Sequence, residues 1–286
     1  MDRSTWRWGA VVAGLALLAA CSAGDAEPGV NADDTGDVVD STQFDAPSSL
    51  DGTAPPTATA APTTTAPAST TTPSPPTTTA PALPVRAATP GPGPGQPVVP
   101  LGPGDRRVYV LGDSVLVGAA AQLPGALAGW DVTVDAAENR LVTQAAGILD
   151  ARQAAYDGVV AQYRAEHGGE EPPPSNPFGR VVVVHLCTSF WAGGGFGTYV
   201  ERIMDRLDGV ERVVWVTCTP WDDGPVEANA AIEESLGRYP NVVVADWAAL
   251  SGTPGYTFAD GIHLAGPGRD ALAALVATAV GPAPPA

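Results

Sequence analysis

From residue 105 onward, short apolar runs alternate with stretches of helical periodicity. The runs are Arg107–Leu111, Asp131–Val134, Arg180–Leu186, Arg212–Val216 and Val242–Ala245. They are almost continuously apolar, the pattern of parallel strands covered on both faces. Between them, Leu141, Ala145, Ile148, Leu149, Arg152, Tyr156 and Val159 recur at helical spacing. Ile203, Leu207 and Val210 trace part of a second helix, and Ala228, Ile232 and Leu236 a third. Pro267 stands at the first turn of a last Ala/Leu/Val-rich helix reaching about Val280. Strand and helix alternate throughout, which predicts a doubly wound α/β domain over 105–286 with a five-stranded parallel sheet. Ligands bind such sheets at the carboxyl ends of the strands. Glu166 to Gly179, with paired glycines and three consecutive prolines, is expected to be an exposed loop.

The first hundred residues lack this pattern. Arg3 and Arg7 precede a short apolar run from Ala10 to Ala20, which is too brief for a membrane span and has the form of a signal peptide over 1–20. It ends Leu-Ala-Ala-Cys, like a bacterial lipoprotein cleavage box, so Cys21 is the expected lipidation site. An acidic stretch follows, then a Thr/Pro/Ala tract with little charge and no aromatic residue. Neither stretch can bury enough apolar surface to offset ordering, so 21–104 is expected to be a disordered tether. As a flexible coil it would reach about 50 Å, and as polyproline II about 250 Å. The expected location is extracytoplasmic: lipid-anchored to the outer face of the bacterial cytoplasmic membrane and extending into the cell wall.

Charge narrows the function. The formal net charge is −17 and the isoelectric point about 4.3, which argues against nucleic acid as a partner. All fourteen Lys-plus-Arg residues are arginine. Schiff-base chemistry, a Walker-type phosphate loop and a Ser-Lys dyad each need a lysine amine and are excluded.

The candidate chemistry lies at two places. Gly112-Asp113-Ser114 follows the first long apolar run at once, where a serine would cap the strand and open the next helix. The same tripeptide also makes an ordinary helix N-cap. Far downstream, Asp260-Gly261-Ile262-His263 puts a carboxylate and an imidazole three residues apart, just before the last helix. Serine, histidine and an orienting carboxylate are the parts of an acyl-transfer triad.

With these blocks in hand, residues 106 to 280 resemble the SGNH (GDSL-type) hydrolase family. The resemblance is strongest to the extracytoplasmic SGNH domains attached to membrane acyltransferases that acetylate cell-wall sugars. It is carried by Leu111-Gly112-Asp113-Ser114-Val115, Val183-Val184-His185-Leu186, Val214-Trp215-Val216-Thr217, Tyr239-Pro240-Asn241-Val242, Asp246-Trp247 and Asp260-Gly261-Ile262-His263-Leu264. It implies a three-layer α/β/α sandwich with flavodoxin-like strand order. Ser114 would be the nucleophile, His263 the general base and Asp260 its orienting partner. The reaction implied is acyl-ester hydrolysis or transfer without metal or organic cofactor, on acylated, above all O-acetylated, cell-wall carbohydrate. A membrane acyltransferase that supplies the acyl donor is a further implied partner.

Two positions depart from the family pattern. Where the family has a glycine whose backbone N–H stabilises the oxyanion, this chain has Asn139. Asparagine tolerates left-handed backbone geometry better than most residues. Where the family has an asparagine amide, this chain has Ser189, within Cys187-Thr188-Ser189. The expected oxyanion donors are thus Ser114, Asn139 and Ser189. One lost donor costs about 3 kcal/mol in the transition state. A non-catalytic glycan-binding lipoprotein that keeps the fold therefore stands beside the enzyme reading, and an ordinary lipase is a third alternative.

The remaining candidates are weaker. Cys187 and Cys218 follow two consecutive predicted strands. If those strands are neighbours their ends lie about 5 Å apart, within disulfide reach, in an oxidising compartment. Such a bridge would contribute about 3.5 kcal/mol on the chain-entropy model. His185 lies within a strand and is expected to be a hydrogen-bonded core histidine, with His167 solvated; three scattered histidines do not make a zinc site. Trp191 and Trp221 follow two strands on the same rim and are candidate substrate contacts or loop anchors, and Arg140, near the second block, is a candidate substrate contact or half of a surface salt bridge. Asp113 is expected to support the turn rather than to act chemically.

Overall fold

The valine-rich runs form strands because β-branched side chains suit a pleated surface covered on both sides. In the computed structural model, which describes residues 82–92, 96–172 and 176–285, they build one six-stranded sheet. In chain order the strands are β1 (Val85–Ala87), β2 (Arg107–Gly112), β3 (Asp131–Ala136), β4 (Val181–His185), β5 (Arg212–Val216) and β6 (Val242–Ala245). The spatial order is β1-β6-β5-β4-β2-β3. β2 to β6 are parallel and follow the flavodoxin-like order expected, while β1 joins β6 antiparallel. β4 and β5 are buried at every residue, whereas β3, on the edge, alternates exposed Asp131 and Thr133 with partly covered Val132 and Val134.

Strand periodicity divides the core in two. Tyr109, Leu111, Val182, Val184, Val213 and Trp215 face one layer, built by α3 (Val142–Glu166), α4 (Phe196–Arg206) and α5 (Asp223–Arg238). Val108, Val110, Val181, Val183, Val214 and Val216 face the other. That layer holds α1 (Ser114–Ala119), α2 (Leu123–Ala126) and α7 (Gly266–Val280), with the short α6 (Ala248–Ser251) beside it.

Three expectations are corrected. The folded unit does not begin at Asp105. Val85–Ala87 pairs with Ala245–Val243 at the sheet edge, Val98 is buried, and Arg212 donates to the Val99 carbonyl. The last part of the expected tether is therefore structure, and it covers an edge that would otherwise offer unpaired backbone. The sheet accordingly has six strands rather than five. Of the stripe on α3 only Ala145 and Leu149 are buried, with Val142 in place of Leu141, which is 41% exposed, and Val159 is 63% exposed. Twenty-five helical residues span about 37 Å, and strands of five or six residues span under about 20 Å, so the second half has no sheet to cover. The signal peptide, Cys21 and the tether up to residue 81 lie outside the described residues. No described helix is long and apolar enough to cross a membrane.

Candidate active site

β2 pairs with β3 on one side and β4 on the other, so the chain reverses its direction of sheet-building at the end of β2. A crevice opens outside the strands at such a point. Ser114 stands there, as the first residue of α1. The turn is tight enough that a Cβ on Gly112 would collide with the Leu116 side chain, so glycine lets α1 fold back against its own strand. Asp113 caps α1, its Oδ1 accepting the Val115 N–H at 3.1 Å. The same buried carboxylate meets His185 Nδ1 at 3.1 Å and the Thr188 N–H at 3.4 Å. Burial pushes its pKa up, but the His185 charge and these hydrogen bonds outweigh burial and hold it below the usual carboxylate range. Asp113 thus supports the turn, and His185 is a core histidine, its Nε2 lying 3.6 Å from Cys218 Sγ.

The loop before α7 brings the second block to Ser114. His263 Nε2 lies 3.2 Å from Ser114 Oγ, and His263 Nδ1 lies 2.8 Å from Asp260 Oδ2. Asp260 Oδ1 also accepts the backbone N–H groups of Ile262 at 2.9 Å and His263 at 3.0 Å. These bonds, the Ile262 N–H first and the imidazole next, hold its pKa below the ordinary value, so it is an anion at neutral pH. An anionic acceptor at Nδ1 requires the Nδ1–H tautomer and leaves the Nε2 lone pair for the serine proton. The loop is itself braced: the Phe258 N–H donates to the His263 carbonyl at 2.8 Å and the Ala265 N–H to the Tyr256 carbonyl at 2.9 Å. The imidazole side chain remains 47% exposed.

The expected oxyanion positions lie on the loops after β3 and β4, the two strands that flank β2. Asn139, after β3, has φ +57° and is the one non-glycine with positive φ among the described residues. Ser189 follows β4 and is exposed. Among the described residues, the backbone N–H groups of Ser114, Asn139 and Ser189 have no acceptor.

Cys187 and Cys218, at the ends of neighbouring β4 and β5, are joined in a disulfide with a Cα–Cα distance of 5.8 Å. Their sulfurs and His185 form a tight buried group, but joined sulfurs are not thiolate ligands. His167 is exposed beyond the end of α3, with Nδ1 2.8 Å from the Tyr163 carbonyl. Trp191 is 77% and Trp221 44% exposed on the rim. Of its two expected roles Arg140 takes the salt bridge: its guanidinium is mostly covered, pairs with Asp135 at 2.7 Å and donates to the carbonyls of Gly112 and Asp135. Asp135 in turn accepts the Tyr109 hydroxyl at 2.6 Å. Arg140 therefore braces the end of β2 instead of facing substrate.

Sequence reasoning missed Glu227, on α5. Its carboxylate accepts the N–H groups of Gly193 at 2.6 Å, Gly195 at 3.0 Å and Phe196 at 3.3 Å, pinning the glycine-rich lip after Trp191. Those bonds, led by that from Gly193, lower its pKa. Nothing local to a glutamate on an amphipathic helix announces this contact.

No protein-family model and no curated relative matches the chain. Solved structures with a similar course of backbone do. One is the C-terminal catalytic domain of Streptococcus pneumoniae peptidoglycan O-acetyltransferase A with a methylsulfonyl adduct, at 18% identity and TM-score 0.43, covering 60% of this chain and 89% of that one. A member of the lipolytic G-D-S-L family from Veillonella parvula aligns at 13% identity and TM-score 0.44, covering 59% and 93%. A Clostridium thermocellum family 3 carbohydrate esterase aligns at 12% identity and TM-score 0.39, covering 59% and 92%.

Proposed function

We propose that the protein is a surface-tethered SGNH-type serine esterase or acyltransferase acting on O-acyl groups, above all O-acetyl groups, of cell-wall carbohydrate. The carrying observation is the Ser114–His263–Asp260 relay, assembled from the two ends of the domain at the carboxyl ends of the strands. In this mechanism His263 Nε2 takes the proton as Ser114 Oγ attacks the ester carbonyl, and Asp260 stabilises the imidazolium. The N–H groups of Ser114 and Asn139, with Ser189 beside them, receive the oxyanion. The tetrahedral intermediate collapses as His263 returns the proton to the leaving alcohol. Water or a sugar hydroxyl then attacks the acyl-serine by the same steps in reverse. An exposed imidazole and a rim carrying Trp191 and Trp221 suit a bulky polar substrate better than an enclosed lipid chain. The motif resemblance supports carbohydrate as that substrate and a membrane acyltransferase as the source of the acyl group, and the Leu-Ala-Ala-Cys box supports lipidation of Cys21 as the membrane anchor.

The second reading, a glycan-binding protein without catalysis, is favoured by a serine in place of the family's asparagine amide. Hydrolysis of p-nitrophenyl acetate by the full chain, beside Ser114→Ala, decides between them. The proposal expects turnover in the unsubstituted protein and a loss of a thousandfold or more in the variant. Equal background rates in both would sink the hydrolase form and leave transfer to a sugar acceptor, assayed directly, as its remaining support.

A further inference from the structure

The loop after β4 carries an oxyanion position with no side-chain amide, yet it is held unusually firmly from the β5 side. The disulfide fixes its first residue, Cys187. The Trp221 indole N–H donates to the Thr188 carbonyl at 3.1 Å. In that turn the Thr188 N–H reaches Asp113 and the Phe190 N–H reaches the Cys187 carbonyl, while the Ser189 N–H between them has no acceptor among the described residues. The Thr188 carbonyl and the Ser189 N–H belong to one peptide unit, which is planar and trans, so they point in opposite directions. Trp221 follows β5, and β4 lies between β5 and β2. A carbonyl drawn toward the β5 side turns the N–H of the same unit toward the β2 side, where Ser114 stands.

We infer that Trp221 is a positioning residue: its indole holds the Thr188–Ser189 peptide so that the Ser189 backbone N–H, not its hydroxyl, serves as the oxyanion donor on this side of Ser114. This inference rests on the esterase reading above. The Asn139 N–H then approaches from the β3 side and the Ser189 N–H from the β4 side. The missing amide is replaced by an oriented backbone group, with no side-chain rotamer to fix. Trp221 acts through the peptide and need not touch the substrate.

The test is steady-state hydrolysis of p-nitrophenyl acetate by the full chain and its Trp221→Phe and Ser189→Ala variants. Phenylalanine keeps an aromatic ring but lacks the indole N–H. Losing an oxyanion donor costs a hundredfold or more, and a donor left unaimed forfeits much of that. Trp221→Phe is therefore expected to lower kcat and kcat/KM together by about tenfold or more, with KM held within about twofold. That split marks an interaction made only in the transition state. Ser189→Ala keeps the N–H and is expected to lose distinctly less than Trp221→Phe. A Trp221→Phe enzyme within about threefold of the unsubstituted kcat overturns the inference and leaves the esterase reading standing. So does a Ser189→Ala loss as large as that of Trp221→Phe, which would assign the donor to the hydroxyl. Absence of Ser114-dependent turnover in the unsubstituted protein defeats both.

Discussion

The two ends of the sheet treat polar groups in opposite ways. At the amino end, arginines at the starts of three strands seek out carbonyls of other segments. Arg106 and Arg107, before and at the start of β2, donate to the carbonyls of Pro284 and Asn176 at 3.1 and 2.9 Å. Arg180, just before β4, donates to the Gly102 carbonyl and pairs with Glu211. Arg212, the first residue of β5, is buried and donates to the carbonyls of Val280 and Val99. At the carboxyl end, the N–H groups of Ser114, Asn139 and Ser189 have no acceptor among the described residues, and the imidazole of His263 is about half exposed. Donors are matched where the segments around Val99–Gly102 and Val280–Pro284 are held and left unmatched where charge would develop on a substrate. Stability and chemistry are thus assigned to opposite ends of one scaffold.

This contrast can be broken from either end. The largest effect on folding is expected from Arg212→Met, which removes the donors to the buried Val280 carbonyl and the part-buried Val99 carbonyl. A loss of about 3 kcal/mol is expected in urea unfolding, with kcat per folded molecule unaffected; a fall in kcat would mean the ends are coupled. Arg212 carries a cost of its own, since burial, with the neighbouring Arg180 charge, pushes its pKa down to about 10.

Next comes Asp113, beneath the site. Its folded pKa lies below its unfolded one, so its contribution is fully present above the unfolded value, near pH 4, and is lost as the pH falls through the folded value. Asp113→Asn is expected to cost about 2 kcal/mol at pH 7. The gap in Tm between the two proteins should narrow on acidification below about pH 4. A gap that stays constant from pH 7 to pH 3 would assign the loss to shape instead of charge. The smallest effect is at Asn139. Alanine is strained at φ +57°, so Asn139→Ala should be about 1 kcal/mol less stable than Asn139→Gly, and should lose more kcat. Equal behaviour of the two would remove the backbone geometry of Asn139 from the argument.

What could be read in advance follows the same division. Ser114, Asp260 and His263 were legible because each block is local: a strand end running into a turn, and an Asp-x-x-His before a helix. The Cys187–Cys218 pair followed from placing two strand ends side by side. β1 was not legible, because three residues in a proline-rich stretch become a strand only by pairing with β6. Arg140 stays open between substrate and salt bridge in the sequence because its pairing with Asp135 forms only once the chain has turned after β3. Glu227 and the Trp221–Thr188 contact depend on how α5 and its preceding loop settle against the loop after β4. Tertiary packing fixes that placement, and no local spacing records it.

The antiparallel sense of β1 has a mechanical consequence. Val85 pairs with Ala245 at the carboxyl end of β6, and Ala87 with Val243, farther toward its start. The preceding residues Leu83 and Pro84 therefore approach from the same rim as Ser114, with β1 four strand spacings, about 19 Å, from β2. On the tethered reading proposed above, force reaching Leu83 through the preceding chain would enter at that rim. A molecule leashed this way would swing its triad toward the point of attachment, so its reach would be counted back toward the anchor.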